Sequence, residues 1–196
     1  FMEYDMTNIK SNYLDGQKLY IGIKAGINNL FEYQDKLDEI NVFPVPDGDT
    51  GTNMCFTLLP IIEDYDSQIL NNASDVLDFM ADTALESARG NSGTIIAQFF
   101  HGVRKTGLGK EVLYIKDFAE ALELGYVSAK DSLLNPKEGT IITVMREVSE
   151  KANDLLSSEN LTYKNFIYEC YKVAEISLQS TKKTLAILRK TNVVDA

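Results

Sequence analysis

Residues 74–103 read SDVLDFMADTALESARGNSGTIIAQFFHGV, two helical patterns separated by one glycine-rich break. From Ser74 to Ser87 the residues Val76, Leu77, Met80, Ala84 and Leu85 fall on one face of a helix, with Ser74 as the expected N-cap. The pattern stops at ARGNSG and restarts from Thr94 to Val103, and GLGK at Gly107 to Lys110 closes the second helix. Working outward, the same periodicity predicts one long helix from Ile9 to Tyr33, with Ile9, Tyr13, Ile23, Ile27 and Leu30 apolar and Lys10, Gln17 and Lys24 wet. Leu37 to Thr52 holds Pro44 and Pro46 and reads as an ordered loop. Asn53 to Tyr65 reads as a short helix, capped by Thr52 or Asn53 and kinked or shortened by Pro60, with Met54, Leu58 and Ile61 or Ile62 inward.

Downstream, helices are predicted over Asp117–Leu134 (Phe118, Ala121, Leu122, Val127 inward), Thr140–Leu156 (Ile141, Val144, Val148, Leu155) and Thr162 or Tyr163 to Ser177 (Phe166, Ile167, Cys170, Val173). A last turn or two covers Leu185–Lys190. No segment alternates strictly, so the expectation is an all-α domain of seven or eight helices filling residues 1–196. The chain has 196 residues, 44% of them hydrophobic and 24% charged, enough to bury a proper core. A net charge of −10 without a Lys/Arg cluster argues against a nucleic-acid partner. Cys55 and Cys170 read as buried reduced thiols, and no stretch has the length and apolarity of a signal peptide or membrane span, so a cytoplasmic protein is expected. The ending VVDA is abrupt and reads as a cut within something longer.

Three loops carry chemistry. In PDGDTGTN, Asp47 and Asp49 flank Gly48 and can converge on one cation, and magnesium accepts such oxygens together with water and phosphate. On its own the segment favours a plain surface turn, and a calcium loop fails because Thr52 and Leu58 stand where Gly and Glu are needed. In SARGNSG, Gly90 and Gly93 allow a backbone nest for phosphate, with Asn91 or Ser92 capping a helix from Thr94; a plain helix connection is an equal reading. The GK[ST] ending of a Walker A loop is missing. In NPKEGTII, Thr140 either closes a nucleotide pocket or is simply an N-cap. A metal loop and a phosphate nest together are the two halves of a magnesium–nucleotide site. His101 reads as packing or surface, and Tyr163, Tyr168 and Tyr171 need no cofactor to explain them.

At NVFPVPDGDTGTNM, ALESARGNSGTIIAQFF, EGTIITV and VVDA the sequence closely resembles the DhaL-type nucleotide-binding domain shared by dihydroxyacetone kinases and fatty acid kinases, with wording nearest the fatty acid branch. The resemblance implies a barrel of eight antiparallel helices with ATP or ADP and two magnesium ions in loops at one end. It makes Asp47 and Asp49 metal ligands and puts Asn41 where the dihydroxyacetone branch has a third aspartate. It makes Thr50, Gly51, Thr52, Asn53, Asn91, Ser92 and Thr140 nucleotide contacts, beside the Gly90–Gly93 nest, and sets Asp195 near the nucleotide. It further implies a fatty acid substrate carried by a separate acyl-binding protein, an acyl phosphate product, and a longer parent chain that dimerises through regions beyond Ala196 and without which this domain is inactive. The alternatives are a dihydroxyacetone-type kinase subunit and a nucleotide-sensing module without turnover. A carboxylate nucleophile is already ionised at neutral pH and needs no base, in keeping with a sequence that offers no His or Cys constellation.

Overall fold

The computed structural model describes residues 12–64 and 71–196; the expected helical positions Ile9, Lys10 and Tyr65 lie outside them. Among the described residues there are nine helices and one pair of short strands. In order they are β1 (Tyr13–Asp15), α1 (Gly16–Glu32), α2 (Gln34–Ile40), α3 (Thr50–Glu63), α4 (Ala73–Ser87), α5 (Gly90–Gly107), β2 (Val112–Tyr114), α6 (Ile115–Asp131), α7 (Ile141–Leu155), α8 (Tyr163–Thr184) and α9 (Ala186–Thr191). The class is all-α, as the periodicity predicts.

The stripe read from 74–87 is the centre of the core. Ala73, Val76, Leu77, Met80, Ala81 and Ala84 of α4 are all buried, and all but Ala81 pack with Leu19, Ile27, Leu58, Ile61 and Ala97 from α1, α3 and α5. Full burial of side chains such as Ile61 and Met80 contributes roughly 1.5–3 kcal/mol each. A second cluster joins α6, α7 and α8 through Ala119, Ala152, Leu155, Phe166 and Cys170, and Phe118 packs against both clusters. The rings of Phe118, Tyr163 and Phe166 meet edge to face with centroids 6.2–6.5 Å apart, and the Tyr163 hydroxyl donates to the Leu113 carbonyl at 2.8 Å. That bond satisfies the one polar atom in an otherwise apolar joint, and burial raises the phenol's pKa. Cys55 and Cys170 are free and buried, as expected. No helix among the described residues is long and apolar enough to cross a membrane.

Several boundaries differ from the sequence reading, each for a local reason. Tyr13 belongs not to a helix but to β1, which pairs antiparallel with β2 in the register Tyr13↔Tyr114, Leu14↔Leu113, Asp15↔Val112. Asp15 then accepts from Lys18 N at 2.9 Å and starts α1 at Gly16. Three-residue strands are too short to show alternation. Leu37 to Ile40 is helical within α2, so the true loop is 41–49. α3 starts at Thr50 with Asp49, not Thr52 or Asn53, at the cap, and it continues through Pro60 to Glu63. α4 is capped at Asn72, while Ser74 lies in the first turn and its hydroxyl accepts from Gly109 N at 3.2 Å. α5 begins at Gly90 rather than Thr94, so ARGNSG is mostly helix, and α8 runs on to Thr184. Val127 and Ile167, expected inward, are exposed. Thr140 is an N-cap, as one of its two readings had it, and Thr162 caps α8 from just before Tyr163; they accept from Ile142 N and Asn165 N.

Candidate functional site

A cleft of about 450 Å³ opens where the 41–49 loop, the first turns of α3 and α5, the start of α7 and the 195–196 segment meet. One wall carries Asn41, Asp47, Asp49, Thr50 and Asn53; the facing wall carries Gly90, Asn91 and Ser92; Thr140 and Asp195 close the third side. Segments more than a hundred residues apart in sequence thus converge. Ser92 Oγ donates to the Thr50 carbonyl at 3.3 Å and locks the first turns of α3 and α5 together. First-turn N–H groups have no intrahelical partner, so two helix N-termini aimed at one cleft make an anion-binding wall.

Three of the expected contact residues do not line the cleft. Gly51 lies against the Gln34 backbone, where a Cβ would strike its carbonyl. Gly93 faces the Thr57 hydroxyl and, at 3.2 Å from an ideal Cβ, the Asn53 carbonyl oxygen. The Thr52 hydroxyl donates to Asp38 Oδ2 at 2.7 Å and accepts from Gln34 Nε2 at 3.2 Å. These residues shape the wall rather than the surface. Thr140 lines the cleft and is an N-cap at the same time: its hydroxyl donates to the Lys137 carbonyl at 2.8 Å and accepts from Ile142 N at 3.3 Å.

The oxygens on the first wall fit magnesium. Asn41 is buried, donates through Nδ2 to Asp47 Oδ1 at 3.0 Å, and leaves its Oδ1 without a partner. A buried amide oxygen without a hydrogen bond costs free energy that a cation would recover. Asp49 stands at the cap of α3 but makes no capping bond with its side chain, so its carboxylate is available. No group of three or more His, Cys, Asp and Glu gathers as a metal cluster among the described residues. Two carboxylates, one amide oxygen, water and phosphate are nonetheless an ordinary magnesium shell.

The sequence reading did not single out Lys137, Phe43, Ile95 or Leu133, which also line the cleft. Lys137 sits inside the quoted NPKEGTII, but a lysine in a loop carries no signal of its own. A larger open depression of about 750 Å³ lies along α8 and α9 beside Ile176, Lys182 and Arg189; it contains no motif residue, so its size does not make it the site. His101 is half-buried outside the cleft, its pKa lowered by burial and then by Lys105 and Arg104.

Residues 44–196 match the DAK2 domain. The chain belongs to the DAK2 family. It is 34% identical over 183 residues to the protein YloV of Bacillus subtilis, covering 93% of this chain and 33% of that one. An uncharacterized protein of Staphylococcus saprophyticus is likewise 34% identical over 183 residues, with the same coverage. One from Staphylococcus epidermidis is 34% identical over 174 residues, covering 89% of this chain and 31% of the other. The chain therefore spans about a third of the length of these relatives. DAK2 domains form the nucleotide-binding family of dihydroxyacetone kinase subunits, and the family is associated with phosphotransferases.

In this DAK2 domain Asp195 reaches back to the start of α7. Its Oδ2 accepts from Ile141 N at 2.8 Å and its own N donates to the Thr181 hydroxyl at 3.1 Å. Burial pushes the carboxyl up to about 7 from 3.8, and the bond from Ile141 opposes that rise only in part. The folded chain thus holds a proton that the unfolded chain releases at acidic pH, so this group's stabilisation is complete below about pH 4 and lost as pH rises through about 7. Asp195→Asn keeps an acceptor for Ile141 but cannot ionise. Between pH 4 and 8 its melting temperature is expected to fall less with rising pH than that of the unaltered chain; identical slopes would remove Asp195 as the cause.

Proposed function

We propose that this chain binds ATP with magnesium in the cleft and serves as the nucleotide-binding part of a kinase that phosphorylates a fatty acid held by a separate acyl-binding protein, giving an acyl phosphate. The observation that carries the reading is the convergence in one cleft of the Asn41, Asp47 and Asp49 oxygens with the N-termini of α3 and α5. The acyl specificity is supported by the sequence wording around residues 41–54 and 84–100. The alternative, a dihydroxyacetone-type kinase, is supported by the DAK2 match itself.

Asn41, Asp47 and Asp49 would hold magnesium, which when bound neutralises phosphate charge. Asn91 and Ser92 on the facing wall are set to take phosphate oxygens through the first turn of α5, and Lys137 adds a positive side chain. In a chain of net charge −10, local cations and N–H groups must do the neutralising. Phosphoryl transfer asks mainly for positioning and charge stabilisation, and a carboxylate substrate brings its own ionised nucleophile. The cleft walls accordingly need no histidine or cysteine.

Titration calorimetry with a non-hydrolysable ATP analogue tests the site. Binding is expected to be about 10-fold or more tighter with magnesium than with chelator, and equal affinities would remove the metal. Phosphorylation assays with carrier-bound fatty acid against dihydroxyacetone separate the two substrate readings.

A further inference from the structure

We propose that Asp38 is the positioning residue of the cation site: it caps α3 from the neighbouring helix and so leaves the Asp49 carboxylate free to face the cleft. The inference rests on the magnesium–nucleotide reading given above.

An aspartate at an N-cap ordinarily folds back to accept the N–H of the second or third helical residue. Asp49 occupies that position, yet it makes no such bond. The N–H of Thr52, the third residue of α3, donates instead to Asp38 Oδ1 at 3.1 Å, and the Thr52 hydroxyl donates to Asp38 Oδ2 at 2.7 Å. Both oxygens of Asp38 are engaged. Gln34 Nε2 donates to the same hydroxyl at 3.2 Å, so α2 is strapped to the first turn of α3 at two points.

Asp38 also holds the other end of the loop. Its carbonyl accepts from Asn41 N at 3.4 Å, so one residue near the end of α2 anchors both Asn41 and the helix start that carries Asp49. The negative charge of Asp38 suits the positive end of α3, where Asp49 would otherwise be drawn. With Asp38 in place, the Thr52 N–H no longer competes for the Asp49 carboxylate. Partners of this kind, which orient ligands without touching the metal, commonly change metal affinity 10–100-fold.

The test uses Asp38→Ala, Asp38→Asn, Asp49→Ala and the Asp38→Ala/Asp49→Ala double variant of this chain. Two readouts are taken: melting temperature without ligand, and affinity for an ATP analogue with magnesium and with chelator. Asp49→Ala alone is expected to leave the melting temperature unchanged, because Asp49 caps nothing. In the Asp38→Ala background the same change is expected to lower it by about 2–4 °C, because Asp49 has taken over the cap. Asp38→Ala is expected to weaken magnesium-dependent binding about 10-fold and leave binding in chelator unchanged. Asp38→Asn, which keeps an acceptor for Thr52 N, is expected to recover most of the loss. Equal thermal cost of Asp49→Ala in both backgrounds overturns the proposal, as does unaltered magnesium dependence in Asp38→Ala. If the unaltered chain binds the analogue equally in magnesium and chelator, the metal reading fails instead, and the melting series still decides who caps α3.

Discussion

Asp47→Asn and Asp49→Asn are each expected to weaken magnesium-dependent ATP binding roughly 100-fold or more, while the helical fold stays intact. Both residues line the cleft, Asp47 exposed and Asp49 half-buried. Removing one of two carboxylates from a hard-cation site halves its formal negative charge, and loss of a direct ligand should exceed the 10–100-fold cost typical of residues that only orient the ligands. The fold has little to lose. Asp49 makes no capping bond, and the Asp47 bond from Asn41 Nδ2 can be accepted equally by an asparagine oxygen. Without a cation the two carboxylates repel, so the ligand-free variants are expected to melt at the same temperature or slightly higher. Calorimetry in magnesium and in chelator, with a melting curve on each protein, makes the check. Unchanged affinity in both variants would place the cation elsewhere.

Much of this architecture is legible in the sequence, because long amphipathic helices announce themselves. The stripe from Val76 to Leu85 is found where the residue types put it, and residues of PDGDTGTN and ARGNSG do meet at one cleft, although half or more of each segment is helix rather than loop. What escapes is information held in tertiary partners. Thr52 looks like a free hydroxyl in a nucleotide loop, and only the fold reveals that Asp38 and Gln34 have claimed it. Gly93 looks like part of a phosphate nest, but its missing side chain is what lets α5 lie against Thr57 and Asn53 of α3. Gly93→Val, which the sequence would treat as a change to the ligand site alone, therefore strikes a helix contact first. β1 and β2 escape because three residues cannot display a period of two.

Gly90→Val is expected to damage both folding and nucleotide binding, and a second glycine separates the two effects. Gly90 has φ +60 at the very start of α5, a region that costs an L-residue roughly 1–2 kcal/mol and suits β-branched side chains least. A Cβ there also overlaps the Asn53 side-chain amide, and Asn53 lines the cleft across from Asn91 and Ser92. The valine must either push Asn53 into the cleft or shift the first turn of α5, whose N–H groups would hold the phosphates in the proposed site. Backbone strain alone predicts a melting temperature lower by about 2–8 °C. The displaced amide adds a loss of ATP affinity of about 10-fold or more, comparable to forfeiting one or two hydrogen bonds. Gly109 provides the comparison, with φ +70 but nothing within 4 Å of an added Cβ and no place on the cleft. Gly109→Val should therefore show the thermal penalty with unaltered affinity. If the two variants lose stability alike and neither loses affinity, the first turn of α5 does not hold the phosphates.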